Sequence, residues 1–229
     1  MLNKNLHRPL LLQILKDIYS DIEISSALGF KGGTAAYIFY ELSRFSVDLD
    51  FDLLDESKAD IVFEKLEGIL KEYGEIKDSF HKRFTIFFLL SYGKKEHNIK
   101  IEINKRSFGS KYEIKNYLGI SIQTMVIEDM VAHKLAALLD RKNVANRDIF
   151  DIWFFLKNHY EINEKIIKTR TGLKLKEYLN KCVKFLEKYN DKYILQGIGE
   201  LIDEKQKAWL KNKLKSEVLF LLKVKMQTL

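Results

Sequence analysis

The chain has 229 residues, with 39 Lys/Arg against 32 Asp/Glu, a formal net charge of +7, 46% hydrophobic and 31% charged residues. That balance is ordinary for a folded globular protein with room for one substantial core or two small ones, and one proline with eleven glycines argues against long disordered linkers. Charged residues interrupt every apolar run, which excludes a membrane-spanning helix; a cytoplasmic protein with no membrane partner is expected, and the lone Cys182 excludes an intrachain disulfide or a cysteine-built zinc site.

In chain order, Leu6, Leu10, Ile14, Ile18 and Ile22 recur at near-helical spacing and predict an amphipathic helix ending near Gly29. Beyond the paired glycines Gly32-Gly33, Thr34 is placed to cap a helix carrying Ala36, Ile38, Phe39 and Leu42. Next comes Arg44-Phe45-Ser46-Val47-Asp48-Leu49-Asp50-Phe51-Asp52, a strand with acids at alternate positions. Ile61, Phe63, Leu66, Ile69 and Leu70 mark another helix, closed near Gly74. Arg83 to Tyr92, dense in β-branched and aromatic residues, reads as a buried strand. Gly93-Lys94-Lys95-Glu96 then turns the chain into a strand from His97 to Asn104, with Ile99, Ile101 and Ile103 on one face and Lys100, Glu102 and Asn104 on the other. From Thr124 onward the pattern is almost only helix: Ile127 to Arg141, Arg147 to Lys157, then a long basic region to Leu229. The chain is therefore expected to be α/β (α+β), with a mixed-sheet catalytic lobe over residues 1–120 and a helical lobe over 121–229.

Side chains two apart on a strand share a face, so Asp48, Asp50 and Asp52 project together while Val47, Leu49 and Phe51 face the core. Carboxylates that close repel one another unless a hard cation lies between them, and Mg²⁺ accepts one or two carboxylates together with phosphate oxygens. A glycine turn opening a helix presents backbone N–H groups to phosphate. Glu102 is the natural third acid, while Asp52 reads either as a further acid or as a supporting loop residue because the alternation stops at Leu53-Leu54. Lys134 and Arg141 lie two turns apart on one helix face, within reach of a triphosphate, and Asp148 and Asp151, one turn apart on the next helix, are placed to orient them. The plain alternatives are solvent-facing cations and helix-start acids complementing the macrodipole. Ser46, beside the acids, is placed to bond a phosphate or be modified, or is simply a strand-edge serine. Trp153, Phe154, Phe155 and Cys182 read as core. Residues 161–229 hold 16 Lys/Arg against 9 Asp/Glu, the whole of the net charge, which fits a polyanion such as RNA and equally a solubilising helix surface. Trp209 and Phe220 in this region either stack on bases or cover the core.

The glycine turn Gly32-Gly33-Thr34, the Arg44-Phe45-Ser46-x-Asp48-Leu49-Asp50 strand, Lys134 with Arg141, and Arg147-Asp148-Ile-Phe-Asp151 together resemble the AbiEii/AbiGii-type nucleotidyltransferase toxins of the DNA polymerase β-like superfamily. The resemblance covers roughly residues 28–156. It implies a metal-dependent enzyme of a toxin–antitoxin or abortive-infection system that uses Mg²⁺ (or Mn²⁺) and a nucleoside triphosphate to modify an RNA acceptor, with tRNA the acceptor in several relatives, and a separately encoded antitoxin. By motif, Asp48 and Asp50 become metal ligands with Glu102, and Gly32, Gly33, Thr34 and Ser46 line the phosphate site. Lys134 and Arg141 become phosphate contacts, with Asp148 an essential acid. Rival readings are a small-molecule nucleotidyltransferase and a catalytically idle nucleotide- or RNA-binding module.

Overall fold

Strand pairing around the acidic segment organises the first half of the molecule. The computed structural model describes residues 2–94, 96–141 and 144–229; Lys95 of the expected Gly93–Glu96 turn lies outside them. The chain divides into two compact units, Met1–Glu41 with Ser46–Val126, and Leu42–Phe45 with Ile127–Leu229. The position expected for the boundary, residue 120, is the first residue of a sheet strand, and the division comes after that strand.

The first unit opens with helix α1 (Lys4–Ser20), whose N-cap Asn3 accepts from the Leu6 N–H through its side chain. Its apolar stripe, including Leu11, Ile14, Leu15 and Ile18, is buried. Seven strands follow in a single mixed sheet: β1 (Leu28–Lys31), β2 (Leu49–Leu53), β3 (Glu75–His81), β4 (Thr85–Ser91), β5 (Ile99–Asn104), β6 (Tyr112–Tyr117) and β7 (Ile120–Met125). Their order is β3-β4-β5-β2-β1-β7-β6. β2 pairs parallel with β5 and β1 parallel with β7, and the other neighbours are antiparallel. Helix α2 (Gly32–Phe39) follows β1, and α3 (Ala59–Lys71) packs beside α1. Leu49, Phe51, Ile86, Phe88, Leu90, Ile99, Ile101 and Ile103 are buried on alternate positions, which is the core the alternation implied.

The mixed α/β fold is as expected, but four strands were not. β3 and β6 are edge strands whose residues are mostly half-buried or exposed, so they carry no clean apolar alternation. β1 is four residues long, too short for a periodic signal, whereas β7 does alternate Ile120 and Ile122 with polar Ser121 and Gln123 and is the one unexpected strand that a period of two marks. Thr34 is not a cap: α2 begins at Gly32, with Lys31 as its N-cap. The acidic strand begins at Leu49 rather than Arg44: residues 42–45 belong to the second unit, and 46–48 enter the sheet without strand pairing.

The second unit is helical, with α4 (Ile127–Asp140), α5 (Asn146–Lys157), α6 (Glu164–Thr171), α7 (Leu175–Lys188) and α8 (Glu204–Gln227). Helix α5 is buried on nearly every side, including Trp153, Phe154 and Phe155, and packs against α4 and α8. α6 ends at Gly172 in the left-handed conformation (φ 74°), which suits glycine at a helix end. A capping box between Asp203 and Gln206 starts α8. Cys182 is buried, and burial pushes its thiol up to about 12, as suits a small core residue. Among the described residues no helix is long and apolar enough to cross a membrane.

Candidate functional site

The parallel pairing of β2 with β5 sets Asp50 directly beside Glu102 and Asp52 beside Asn104. Residues in register on adjacent strands share a face, so the third acid of the sequence reading does stand next to Asp50 on the polar side of the sheet. Asp48 precedes β2 by one residue, and its Oδ1 accepts from the Lys100 N–H at 3.3 Å. Gly32 has φ +80°, and a Cβ there would lie 2.3 Å from Asp50 Oδ2. Both the backbone conformation and the approach to the carboxylate therefore require glycine. Gly33, buried, continues the first turn of α2, whose leading N–H groups have no carbonyl partner within the helix.

Asp52 has a different role from its neighbours. Lys31 Nζ lies 2.5 Å from its Oδ1, Asn104 Nδ2 donates to the same oxygen at 2.6 Å, and the Tyr112 hydroxyl donates to Oδ2 at 2.5 Å. Its oxygens are spent inside the protein. Tyr112 reaches it by crossing Gly29, where a Cβ would meet the ring at 2.2 Å. Thr34 is buried; its hydroxyl donates to the Asp48 carbonyl and lies 2.9 Å from Ser46 Oγ. That hydroxyl fixes the chain entering β2, which corrects the expectation that Thr34 caps the helix. Ser46, also buried, shares in this bond.

A divalent cation fits this donor set in kind: carboxylates, with Asp50 and Glu102 side by side on one face of the sheet and Gly32 setting no side chain against Asp50. Among the described residues no three His, Cys, Asp or Glu side chains converge into a metal-holding group. The chemistry is that of a cation taking one or two carboxylates and completing its shell elsewhere, as Mg²⁺ does with water and phosphate.

In the second unit, α4 and α5 bring Lys134, Asp148 and Asp151 together as their spacing suggested. Lys134 Nζ lies 3.1 Å from Asp148 Oδ1 and 2.8 Å from Asp151 Oδ2. Arg141 Nε is 3.2 Å from Asp148 Oδ2, although the geometry makes no hydrogen bond. Arg44 clamps Asp151 with two bonds, Nε to Oδ1 at 2.6 Å and Nη2 to Oδ2 at 2.7 Å, and its Nη1 donates to the Phe45 carbonyl at 3.0 Å. Burial alone would lower the Lys134 pKa, but Asp151 and Asp148 outweigh it and hold the ammonium above its ordinary value. Burial likewise pushes Asp151 up, and Arg44 and Lys134 more than offset it, leaving the carboxylate below its ordinary value. Both groups are thus charged at neutral pH. Sequence reasoning gave Arg44 no role; the available signal was a cation set among Leu42, Phe45 and Val47, all of them buried.

A mixed sheet bearing acids on adjacent parallel strands, followed by a helical unit, is a nucleotidyltransferase fold. A Helicobacter pylori protein assigned as a nucleotidyltransferase superposes over 100% of this chain and 97% of its own, with a TM-score of 0.64 and 21% identity. JHP933 from Helicobacter pylori does so over the same shares, with a TM-score of 0.58 and 21% identity. The chain belongs to the AbiEii family: the family model described as nucleotidyl transferase AbiEii toxin, Type IV TA system, matches residues 13–217. None of the curated proteins matches it. Membership makes the protein a toxin-type nucleotidyltransferase of a type IV toxin–antitoxin system, which implies a cognate antitoxin.

Proposed function

We propose that the protein transfers a nucleotide from a nucleoside triphosphate to an RNA acceptor, tRNA in the favoured reading, in a reaction that needs Mg²⁺ or Mn²⁺. An acceptor hydroxyl oxygen forms the new bond to the α-phosphorus, the bond to the bridging oxygen of the β-phosphate breaks, pyrophosphate leaves, and the hydroxyl proton passes to water. Asp48 and Asp50 would hold the cation, with Glu102 beside them, and the cation when bound supplies charge stabilisation at the attacking and leaving oxygens. Gly32 and Gly33 offer N–H groups to phosphate, with Ser46 beside Asp48. Lys134 is the proposed phosphate contact: an ammonium has three donors, and two of them face Asp148 and Asp151. Asp148 and Asp151 keep that ammonium charged and oriented. Arg141 adds a second, more exposed positive charge.

The observation that carries this reading is the fit of Gly32 over Asp50, with Glu102 in register beside it. A purely structural strand has no need of adjacent acids beneath a glycine turn. The test incubates the protein with total cellular RNA, Mg²⁺ and each α-labelled nucleoside triphosphate in turn, beside Asp48→Ala. Label in small RNA that disappears in the variant is the expected result. Label confined to small molecules would move the substrate class, and no Asp48-dependent label anywhere would refute transfer.

A further inference from the structure

The connection between β3 and β4 and the residues leaving β5 carry a cluster that neither the acids nor the Lys134 network uses. Lys82, Arg83 and Phe84 form the connection, and Lys105 and Arg106 follow β5. Backbone bonds knit them together: the Lys82 N–H donates to the Thr85 carbonyl and the Lys105 N–H to the Phe84 carbonyl, each at 2.9 Å. Phe84 is 47% exposed, whereas Ile86 and Phe88 further along β4 are fully buried. Two guanidinium groups flank its ring, Arg83 Cζ at 4.9 Å and Arg106 Cζ at 5.7 Å from the centroid. Lys82 Nζ lies 4.3 Å from the Phe80 ring, and Lys105 Nζ 3.2 Å from His81 Nε2.

This cluster is attached to the acid strands. Arg106 Nε donates to Asn104 Oδ1 at 3.3 Å, Asn104 Nδ2 donates to the Arg106 carbonyl at 2.7 Å, and the same Nδ2 donates to Asp52 at 2.6 Å. Asn104 is two residues beyond Glu102 on β5, so the cluster begins about 7 Å along the sheet from the acids. None of Lys82, Arg83, Lys105 and Arg106 forms an ion pair with an acid among the described residues; the nearby Asp60 faces His81 at 3.3 Å, and Asp52 is taken up by Lys31, Asn104 and Tyr112. Several lysines of the basic helix α8 differ in this respect, since Lys207, Lys223 and Lys225 pair with Glu204, Glu187 and Glu161.

Four neighbouring cations repel one another, and a large ring held half in water gains nothing by itself. An anionic chain with flat apolar groups answers both costs. Phosphates meet the lysines, and a base stacks on the ring and the guanidinium planes. A duplex keeps its bases stacked inside, so the aromatic platform selects a single strand. An acidic polypeptide would satisfy the charges and leave the platform without a use. We propose that this hairpin patch binds a single-stranded stretch of the nucleic-acid acceptor, with an unstacked base on Phe84, Arg83 and Arg106 and its phosphates on Lys82 and Lys105. The proposal rests on the RNA-acceptor reading above and adds where the acceptor strand lies.

The test is fluorescence anisotropy with a labelled oligoribonucleotide of about ten nucleotides, within the usual site sizes for single-strand binders. Phe84→Ala should weaken binding by about 5- to 150-fold, the loss typical of one base–aromatic stack, and Phe84→Trp should bind like the unaltered protein. The double variant Lys82→Gln/Lys105→Gln should lower the slope of log affinity against log salt by about 1.4, since each lysine contacts one phosphate in the proposal. Unchanged binding in Phe84→Ala overturns the proposal, as does equal displacement of the oligonucleotide by duplex RNA or by polyglutamate. The two readings fail separately. Label transferred to RNA with no effect of Phe84→Ala on binding sinks the patch alone, and Phe84-dependent binding without transfer to RNA sinks the acceptor reading while the single-strand site stands.

Discussion

Arg44→Met removes the guanidinium that holds Asp151, and its cost follows from the burial of the pair. Arg44 is 3% exposed and Asp151 0%, with two bonds of 2.6 and 2.7 Å between them. Without Arg44, Asp151 keeps one charge partner, Lys134 at 2.8 Å, which it shares with Asp148. Breaking one side of a buried ion pair typically costs about 3–5 kcal/mol, against about 0–1 kcal/mol for an exposed pair. Because Lys134 remains to answer part of the charge, the lower end, about 3 kcal/mol, is expected. The two tryptophans, Trp153 and Trp209, both lie in the second unit with ring centroids 4.4 Å apart, and both indole N–H groups donate to Glu217. Their fluorescence during urea unfolding therefore reports on that unit. With a slope of about 1–3 kcal/mol per molar urea, the midpoint should fall by about 1–3 M. Arg44→Lys should lose most of the same stability, since one ammonium does not reproduce the fork on a carboxylate. Arg44→Met/Asp151→Leu should recover part of it by replacing the pair with apolar groups. A loss below about 1 kcal/mol in Arg44→Met would refute the claim that this pair is a buried electrostatic brace.

Gly32→Ala should lower nucleotidyl transfer by about 100-fold through displacement of Asp50, measured with labelled nucleoside triphosphate, while the tryptophan-monitored unfolding of the second unit stays within about 0.5 kcal/mol of wild type. Tyr112→Phe deprives the buried Asp52 of a donor and should destabilise the first unit by about 1–3 kcal/mol, read from hydrogen exchange of β1 and β2 amides. Asp151 has a lowered pKa in the folded protein, so its stabilisation is present above the unfolded carboxylate value, about pH 4, and is lost as pH falls through the lower folded value. Asp151→Asn should flatten that part of the acid-unfolding curve of the tryptophan signal. Cys182, with its thiol pushed up to about 12, should not react with a thiol-specific reagent at pH 8 until urea unfolds the chain.

How much could be read from sequence depended on where each element gets its signal. β2, β4 and β5 lie inside the sheet and bury alternate side chains, so their period of two is written in Leu49, Phe51, Ile99, Ile101 and Ile103. β3 and β6 close the sheet at its edges and are held by hydrogen bonds to a neighbour on one side, which leave no mark in hydropathy. The pairing of Asp50 with Glu102 was reachable because both stand on strands with legible faces. The capture of Asp52 by Lys31, Asn104 and Tyr112 was not, because Lys31 and Tyr112 come from the unpredicted β1 and β6.

The Lys134 network shows the same division by sequence distance. Lys134 and Asp148 are 14 residues apart on consecutive helices, so facing residues follow from the helical period. Arg44 and Asp151 are 107 residues apart, and Arg44 reaches the second unit through a short segment that leaves the first between α2 and β2. Once Arg44 is counted, the charges close: Arg44 and Lys134 balance Asp148 and Asp151 without any help from Arg141. Arg141 is 45% exposed and makes no hydrogen bond to Asp148 despite its 3.2 Å approach. It therefore carries the surplus positive charge of the cluster on its most exposed member, which is what the proposed contact with a phosphate needs.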